Sequence, residues 1–237
     1  MISAKLRGGL GNQLFMVCTA LALAARTGQD AVFEDAESYG DRPSYWDVFL
    51  VRRVRQLPPL TLLQEKGFRY EHLSGTDVLL DGYFQSYLYF ADFDVSPFLS
   101  LPVFPSTDAT SLHFRRGDYK KFPALHPLLT LDYYRAALAH VRPTNVLFFC
   151  EEHDWEDVEP MVAALAAELA VPFRRAEPMR DVDHLALMRS CRSHVVANST
   201  FSWWGAYLSR SDLVCYPANW LGGIDTQDMF PPHWKRV

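Results

Sequence analysis

Arg115 and Arg116 stand side by side at the end of a short apolar run, Ser111-Leu112-His113-Phe114, and Gly117, Asp118 and Tyr119 follow at once. A guanidinium presents a planar fork of donors that grips phosphate oxygens two at a time, which a lysine ammonium does not reproduce. Two of them before a glycine make an anion site; the plainer alternative is that one pairs with Asp118 or another carboxylate to close a loop. A second constellation is Asn198-Ser199-Thr200-Phe201-Ser202-Trp203-Trp204-Gly205, four small polar side chains crowded at one helix entrance. One N-cap satisfies a helix start, so the surplus amide and hydroxyls point to a ligand, while Trp203 and Trp204 read as core. Between the two lies Cys150-Glu151-Glu152-His153-Asp154-Trp155. Either Glu151 and Glu152 accept hydrogen bonds from a purine edge, guanine offering an N–H and an amino group side by side, or they complement the N-terminus of the next helix.

These residues need a scaffold, and the pattern supplies one. From about residue 110 onward, apolar runs at 110–114, 145–149, 172–174, 194–197 and 212–216 alternate with helical periodicity at 130–141, 155–169, 181–191 and 202–209. Val158, Met161, Val162, Leu165 and Leu169 mark one stripe of the second helix. Such alternation predicts a parallel sheet wrapped by helices, with both constellations at carboxyl ends of strands, where open α/β sheets bind ligands. The chain opens in the same idiom: a strand over 2–6, the turn Arg7-Gly8-Gly9-Leu10-Gly11-Asn12-Gln13, then a helix with Leu14, Val17, Cys18, Leu21 and Ala25 on one face, ending near Gly28. Glycines there allow either close approach of a ligand to the helix start or merely a tight turn.

A second strand is predicted at 31–33 and another at 77–83, whereas 41–70 has no clear period and is assigned to loops and short helices around Pro58-Pro59. Gly82-Tyr83-Phe84-Gln85-Ser86 reads as an aromatic turn before a helical stretch at 87–93, with Gln85 the member facing a cleft. Pro97, Pro102 and Pro105 form the most linker-like segment and place a boundary between domains 1–105 and 106–237. His153 and Asp154 lack further ligands at metal spacing. Asp92-Phe93-Asp94 and Asp181-Val182-Asp183 look like the D-x-D of metal-dependent sugar transferases but sit at predicted helix ends, where acids are common, so no metal site is predicted.

A chain of 237 residues with 49% hydrophobic and 22% charged residues has the composition of a soluble globular protein. The net charge of −5 argues against nucleic acid and against an anionic membrane surface, so any phosphate recognition is local. Cys18, Cys150, Cys191 and Cys215 show no C-x-x-C spacing and are taken to sit within apolar segments, so they read as reduced core thiols. No apolar stretch approaches the roughly 20 residues of a membrane helix, and no leader precedes the first strand, which predicts a cytoplasmic protein without a transmembrane segment.

Three stretches taken together resemble the α-1,2-fucosyltransferases of glycosyltransferase family eleven: Gly8 to Phe15, His113 to Tyr119, and Asn198 to Ala206. Gly82 to Ser86, His126-Pro127, Asp132-Tyr133-Tyr134 and Pro217 to Trp220 support it, all in the family's order. The resemblance implies an α/β GT-B-like fold, two Rossmann-like domains facing across a cleft: an N-terminal acceptor-side domain and a C-terminal domain that binds the GDP-sugar. It implies inverting, metal-independent and cofactor-free transfer of fucose from GDP-fucose to a glycan acceptor. Arg115 and Arg116 would hold the diphosphate, His113 would lie near the nucleoside, and Ser199, Thr200 and Ser202, beside Asn198, would line the same pocket. Gly9, Asn12 and Gln13 would face the cleft from the other domain.

Arg115 is then the catalytic stabiliser of the leaving group, and Asp118 the first candidate for the base that takes the acceptor proton, its alternative role being to orient Arg116. The family's Ser-Asp-Asp run is Cys150-Glu151-Glu152 here, and the chain is shorter than most members, with trimming expected in 41–75. A non-catalytic sugar-nucleotide-binding protein, or a transferase using another GDP-sugar or linkage, are the competing readings.

Overall fold

The computed structural model describes residues 1–39 and 42–237, apart from the side chains of Tyr39 and Asp118. The chain divides into two compact units, one made of Met1–Leu101 with Asp225–Pro231, the other of Pro102–Ile224 with Pro232–Val237. The crossing falls at Leu101, a few residues before the predicted boundary at 105, and the return of 225–231 to the first unit had no signal in the sequence.

In the first unit, the buried strand β1 (Ile2–Ala4) runs into a turn at Gly8, whose φ of 71° is left-handed and where a Cβ would strike the Asn12 side chain. Helix α1 (Leu10–Thr27) follows, buried from Leu10 to Ala24 except at Asn12, and stopped by Gly28 at φ 65°. Its last predicted core position, Ala25, is exposed. Next come β2 (Val32–Glu34), the small antiparallel pair β3 (Ser38–Tyr39) and β4 (Arg42–Pro43), then β5 (Arg52–Val54), β6 (Thr61–Gln64) and β7 (Val78–Asp81). The sheet order is β1-β7-β6, all parallel, while β5 pairs parallel with β2, which a single parallel bridge from Ile2 to Ala31 brings beside β1.

Strands β5 and β6 occupy the region expected to be loop and short helix. Thr61, Leu62 and Gln64 are exposed on an edge strand, so β6 rests on its backbone ladder to β7 and leaves no apolar alternation to read. The helix expected at 87–93 is only a 3-10 turn, Tyr87–Tyr89, wedged by rings: Tyr89 lies 5.5 Å from Phe84 and 5.0 Å from Tyr70 between centroids.

The second unit follows its predicted rhythm. Strand β8 (Thr107–His113), α2 (Leu131–Val141), β9 (Val146–Phe149), α3 (Trp155–Leu169), β10 (Phe173–Arg175), α4 (Asp181–Arg189), β11 (Cys191–Val195), α5 (Thr200–Ser209), β12 (Val214–Tyr216) and an unpredicted last strand, β13 (Lys235–Arg236), alternate along the chain. The six strands are all parallel in the order β10-β9-β8-β11-β12-β13. One sheet face packs Leu112, Phe148 and Val195 against Leu138 of α2 and Val158 and Leu165 of α3; the other packs Ala109, Leu147 and Phe149 against Met188 of α4. Strands buried on both faces read as continuous apolar runs, which is why Val146–Phe149 was visible in the sequence.

From β8 the chain builds outward through β9 and β10, then returns to the other side of β8 for β11, β12 and β13. The order of strands therefore reverses between β8 and β11. In an open parallel sheet this is the point at which the connecting loops part and leave a crevice at the carboxyl ends. Two buried polar rungs stitch these central strands together, Thr110 Oγ1 to Ser193 Oγ and Ser111 Oγ to His194 Nδ1, both 2.7 Å.

Candidate functional site

The reversal brings the two constellations together. His113 ends β8 and Arg115 and Arg116 follow it; Asn198 and Ser199 lie between β11 and α5. The Tyr119 hydroxyl donates to the Asn198 carbonyl at 2.8 Å and so ties one loop to the other. Tyr119 also stacks on His126 with centroids 4.4 Å apart, and the Asn198 amide donates to the carbonyls of Pro127 at 2.8 Å and Trp220 at 3.3 Å. Tyr134 donates to the His113 carbonyl at 3.2 Å. The supporting motifs around His126, Tyr134 and Trp220 thus fasten the loops in place.

His113 is buried and its ring packs 6.0 Å from that of Phe201. Burial, followed by the positive field of Arg115 and by His184, pushes its pKa down to about 3, so the imidazole is neutral at physiological pH. Among the described residues its Nδ1 is buried without a hydrogen-bond partner, as is Oδ1 of Asn198. Buried polar atoms left this way are costly, and a ligand polar group is one means of satisfying them.

Both arginines have carboxylate partners. Arg115 pairs with Glu151 and lays its guanidinium 5.4 Å from the centre of the Tyr119 ring. Arg116 Nε lies 3.3 Å from Asp157 Oδ2, and Lys120 pairs with the same aspartate. Lys120 first, and Arg116 after it, hold the Asp157 carboxyl below its usual range. The plainer sequence alternative, an arginine paired with a carboxylate, is thus realised for both arginines, though with Glu151 and Asp157 as the carboxylates. Glu151 and Asp157 lie near solvent, and surface pairs contribute roughly 0–1 kcal/mol, so neither ion pair commits its guanidinium strongly.

Glu151 and Glu152 are exposed and paired, with Arg115 and, at 2.7 Å, Arg175, partners that neither sequence reading of the two carboxylates foresaw. Arg175 in turn sits 4.7 Å from the Trp155 ring centre. Asp118 lies in the 3-10 turn Gly117–Lys121, its side chain outside the described residues.

The other constellation is mostly structural. Ser199 caps α5 through its backbone and makes no side-chain cap bond; Thr200 opens the helix half-buried. Ser202, expected to line the pocket, is instead fully buried and donates to the Ala197 and Ser199 carbonyls at 3.3 and 3.2 Å, because a hydroxyl in the first helical turn finds the preceding carbonyls first. Trp203 and Trp204 are core, as read, with centroids 5.1 Å apart.

In the first unit Gly9 caps α1 with open space where a Cβ would stand. Asn12 accepts from the Gln85 amide at 3.0 Å. Gln85 is buried rather than cleft-facing, and Gln13 is buried completely, donating to the Gly8 and Pro43 carbonyls at 2.8 and 2.9 Å and accepting from Tyr45 N at 3.3 Å. Each amide serves backbone groups of the turns beside α1 or a neighbouring side chain.

The sequence assigns no role to Glu65 and raises Asp154 only as a metal ligand, a reading set aside for want of further ligands. Glu65 accepts from the backbone N–H of Tyr83 and Phe84, both at 2.7 Å, and holds a turn in which Phe84 has a φ of 50°; burial raises its pKa. Asp154 accepts backbone N–H groups of the arginine loop. The D-x-D aspartates have protein partners, Asp92 with Arg26, Asp94 with the Ser96 N–H and Asp183 with Arg180. Among the described residues, no three His, Cys, Asp or Glu side chains gather in a way that would hold a metal ion, and no helix is long and apolar enough to cross a membrane.

Against known protein families, residues 104–235 match the model of glycosyl transferase family 11, more than half the chain and all of the site just described in the second unit. The chain belongs to glycosyl transferase family 11. Similar proteins include the O-antigen biosynthesis glycosyltransferase WbnK of Escherichia coli, 29% identical over 138 residues that cover 54% of this chain and 44% of WbnK. The chain therefore spans less than half the length of that relative. An alpha-1,2-colitosyltransferase of Escherichia coli is 25% identical over 295 aligned positions, covering 100% of this chain and 99% of its own. Among solved structures, NodZ alpha-1,6-fucosyltransferase soaked with GDP-fucose superposes with a TM-score of 0.53 at 12% identity, covering 86% of this chain and 90% of NodZ. NodZ from Bradyrhizobium gives the same score at 11% identity over 86% and 91%. The family 11 chain shares their GT-B-like α/β fold.

Proposed function

We propose that this family 11 protein transfers fucose from GDP-fucose to a hydroxyl of a galactose-like acceptor, forming an α-1,2 linkage with inversion at the anomeric carbon and without a metal ion. The donor is assigned to residues 106–237 and the acceptor to 1–105. The observation that carries the reading is the pair of guanidiniums at the carboxyl end of β8, beside the strand-order reversal and inside the stretch matched by the family. The GDP-fucose soaked into the structurally similar NodZ supports the donor.

In this reading, the acceptor oxygen attacks the anomeric carbon as the bond from that carbon to the diphosphate breaks. Charge grows on the leaving diphosphate, and Arg115 and Arg116 exchange Glu151 and Asp157 for its oxygens, an interaction that strengthens as the bond breaks. His113, neutral and with Nδ1 unpartnered, serves the nucleoside as a hydrogen-bonding group without adding charge. The acceptor proton passes to Asp118 or to the departing phosphate. Near-normal turnover of Asp118→Asn would remove that side chain from the chemistry. The four free cysteines fit a reducing compartment, and the cytoplasm is the proposed site of action.

The test is incubation of the purified protein with GDP-fucose and galactose-terminated acceptors, with and without EDTA, followed by NMR of the product. An α-1,2-fucosylated product formed equally with EDTA supports the proposal; turnover lost to EDTA and restored by a divalent ion contradicts metal independence. A second reading, colitosyl transfer, is favoured by the relative of that name that aligns over the whole chain. Competition between the two GDP-sugars for one acceptor separates them.

A further inference from the structure

Asp154 stands at the N-cap position of α3, yet its side chain makes no cap bond to that helix. An aspartate there ordinarily accepts from the second or third helical N–H. Here the carboxylate turns to the arginine loop: both oxygens accept from Gly117 N, at 2.9 and 2.8 Å, and Oδ2 lies 3.3 Å from Arg116 N. The side chain has no exposed surface. A carboxylate so buried is expensive unless hydrogen-bonded, and the side-chain nitrogens near it are peripheral, Lys120 Nζ at 4.0 Å and His153 Nε2 at 3.8 Å. Its binding therefore comes chiefly from the backbone of the two residues after Arg115.

We infer that Asp154 is a positioning residue for the diphosphate-binding arginines. By taking the N–H groups of Arg116 and Gly117 it fixes the backbone on which the guanidiniums ride. It also occupies donors that a glycine-rich phosphate loop would offer its ligand, so anion recognition in this protein falls to the side-chain forks rather than to a backbone nest. The inference rests on the reading of Arg115 and Arg116 as the donor's diphosphate site.

The experiment is calorimetric titration with GDP, alongside steady-state kinetics, of the wild type, Asp154→Ala, Asp154→Asn, Arg115→Ala and the Asp154→Ala/Arg115→Ala double variant. Hydrogen bonds to a charged group correspond to roughly a ten- to hundredfold effect, so Asp154→Ala should weaken GDP binding by about that factor. Asp154→Asn, which keeps the volume and one acceptor oxygen, should recover part of it. The loss from Asp154→Ala should shrink when Arg115 is already alanine, because one of the two guanidiniums it positions is then absent. Additive losses, or GDP affinity unchanged in Asp154→Ala, would overturn the positioning role. Should Asp154→Ala fail to fold, undiminished GDP affinity in a folded Asp154→Asn does the same. A wild type that binds no GDP overturns the donor reading itself, a result distinct from any of these.

Discussion

Two loops leave adjacent central strands at the same sheet edge, and they treat polar residues in opposite ways. After β8, Arg115, Arg116 and Lys120 remain partly solvent-facing and meet carboxylates of Glu151 and Asp157 that are themselves near solvent. After β11, Asn198, Ser199 and Ser202 are buried, and the Asn198 amide and Ser202 hydroxyl are committed to backbone carbonyls. The first loop holds its charges in pairs near solvent; the second commits its polar groups to the fold. A site motif is therefore a mixture of groups that react and groups that hold, and residue type alone does not separate them.

Variants should separate them along two axes, stability and transfer. The largest stability loss is expected from Trp204→Ala, about 3–5 kcal/mol by urea denaturation, since the side chain is wholly buried against Trp203 and Tyr207. Arg115→Ala should do the reverse. It should lower kcat/KM by about 10²–10³-fold while moving stability by no more than about 1 kcal/mol. Equal losses on both axes for either variant would break the comparison. Asn198→Ala should come next, at about 1–3 kcal/mol of stability, because it leaves the carbonyls of Pro127 and Trp220 without the donor they share.

The pH axis tests the buried side of the site. His113 and His194 are held neutral by burial, each with a pKa near 3, against about 6.5 in an unfolded chain. The unfolded state thus takes up more protons between these values. The stability these rings support is fully present above pH 6.5 and falls as the pH drops toward 3, with a limiting slope of about 1.4 kcal/mol per pH unit for each ring. Urea midpoints at pH 7.5 and pH 5 should show the fall, and His194→Gln should flatten it. The smallest effect is reserved for Glu151→Gln. Stability should move by less than about 1 kcal/mol, and GDP affinity should hold or tighten, since only a surface competitor for Arg115 is lost. A tenfold weaker affinity would instead restore Glu151 as a base contact.

Much of the second unit was readable because strands buried on both faces and helices with one apolar stripe carry strong periods, as at Val146–Phe149 and along α3. In the first unit, β6 contributes backbone hydrogen bonds and little apolar surface, and such a strand leaves no period. The arginines stood out by their chemistry, and the structure places them just after β8. The roles of Gln13, Gln85 and Ser202 were not legible, since a polar side chain that serves a neighbouring turn has the same letter as one that meets a ligand. The role of Asp154 was hidden because its burial comes with a 3-10 turn, Glu152–Asp154, that no periodicity announces.

The central claim is that the guanidiniums beside the strand-order reversal receive the diphosphate. A crystal structure of the GDP complex tests it most directly. The diphosphate oxygens should lie within hydrogen-bond reach of Arg115 and Arg116 at the carboxyl ends of β8 and β11, with Glu151 displaced; a nucleotide bound away from residues 113–118 and 198–202 would contradict the account.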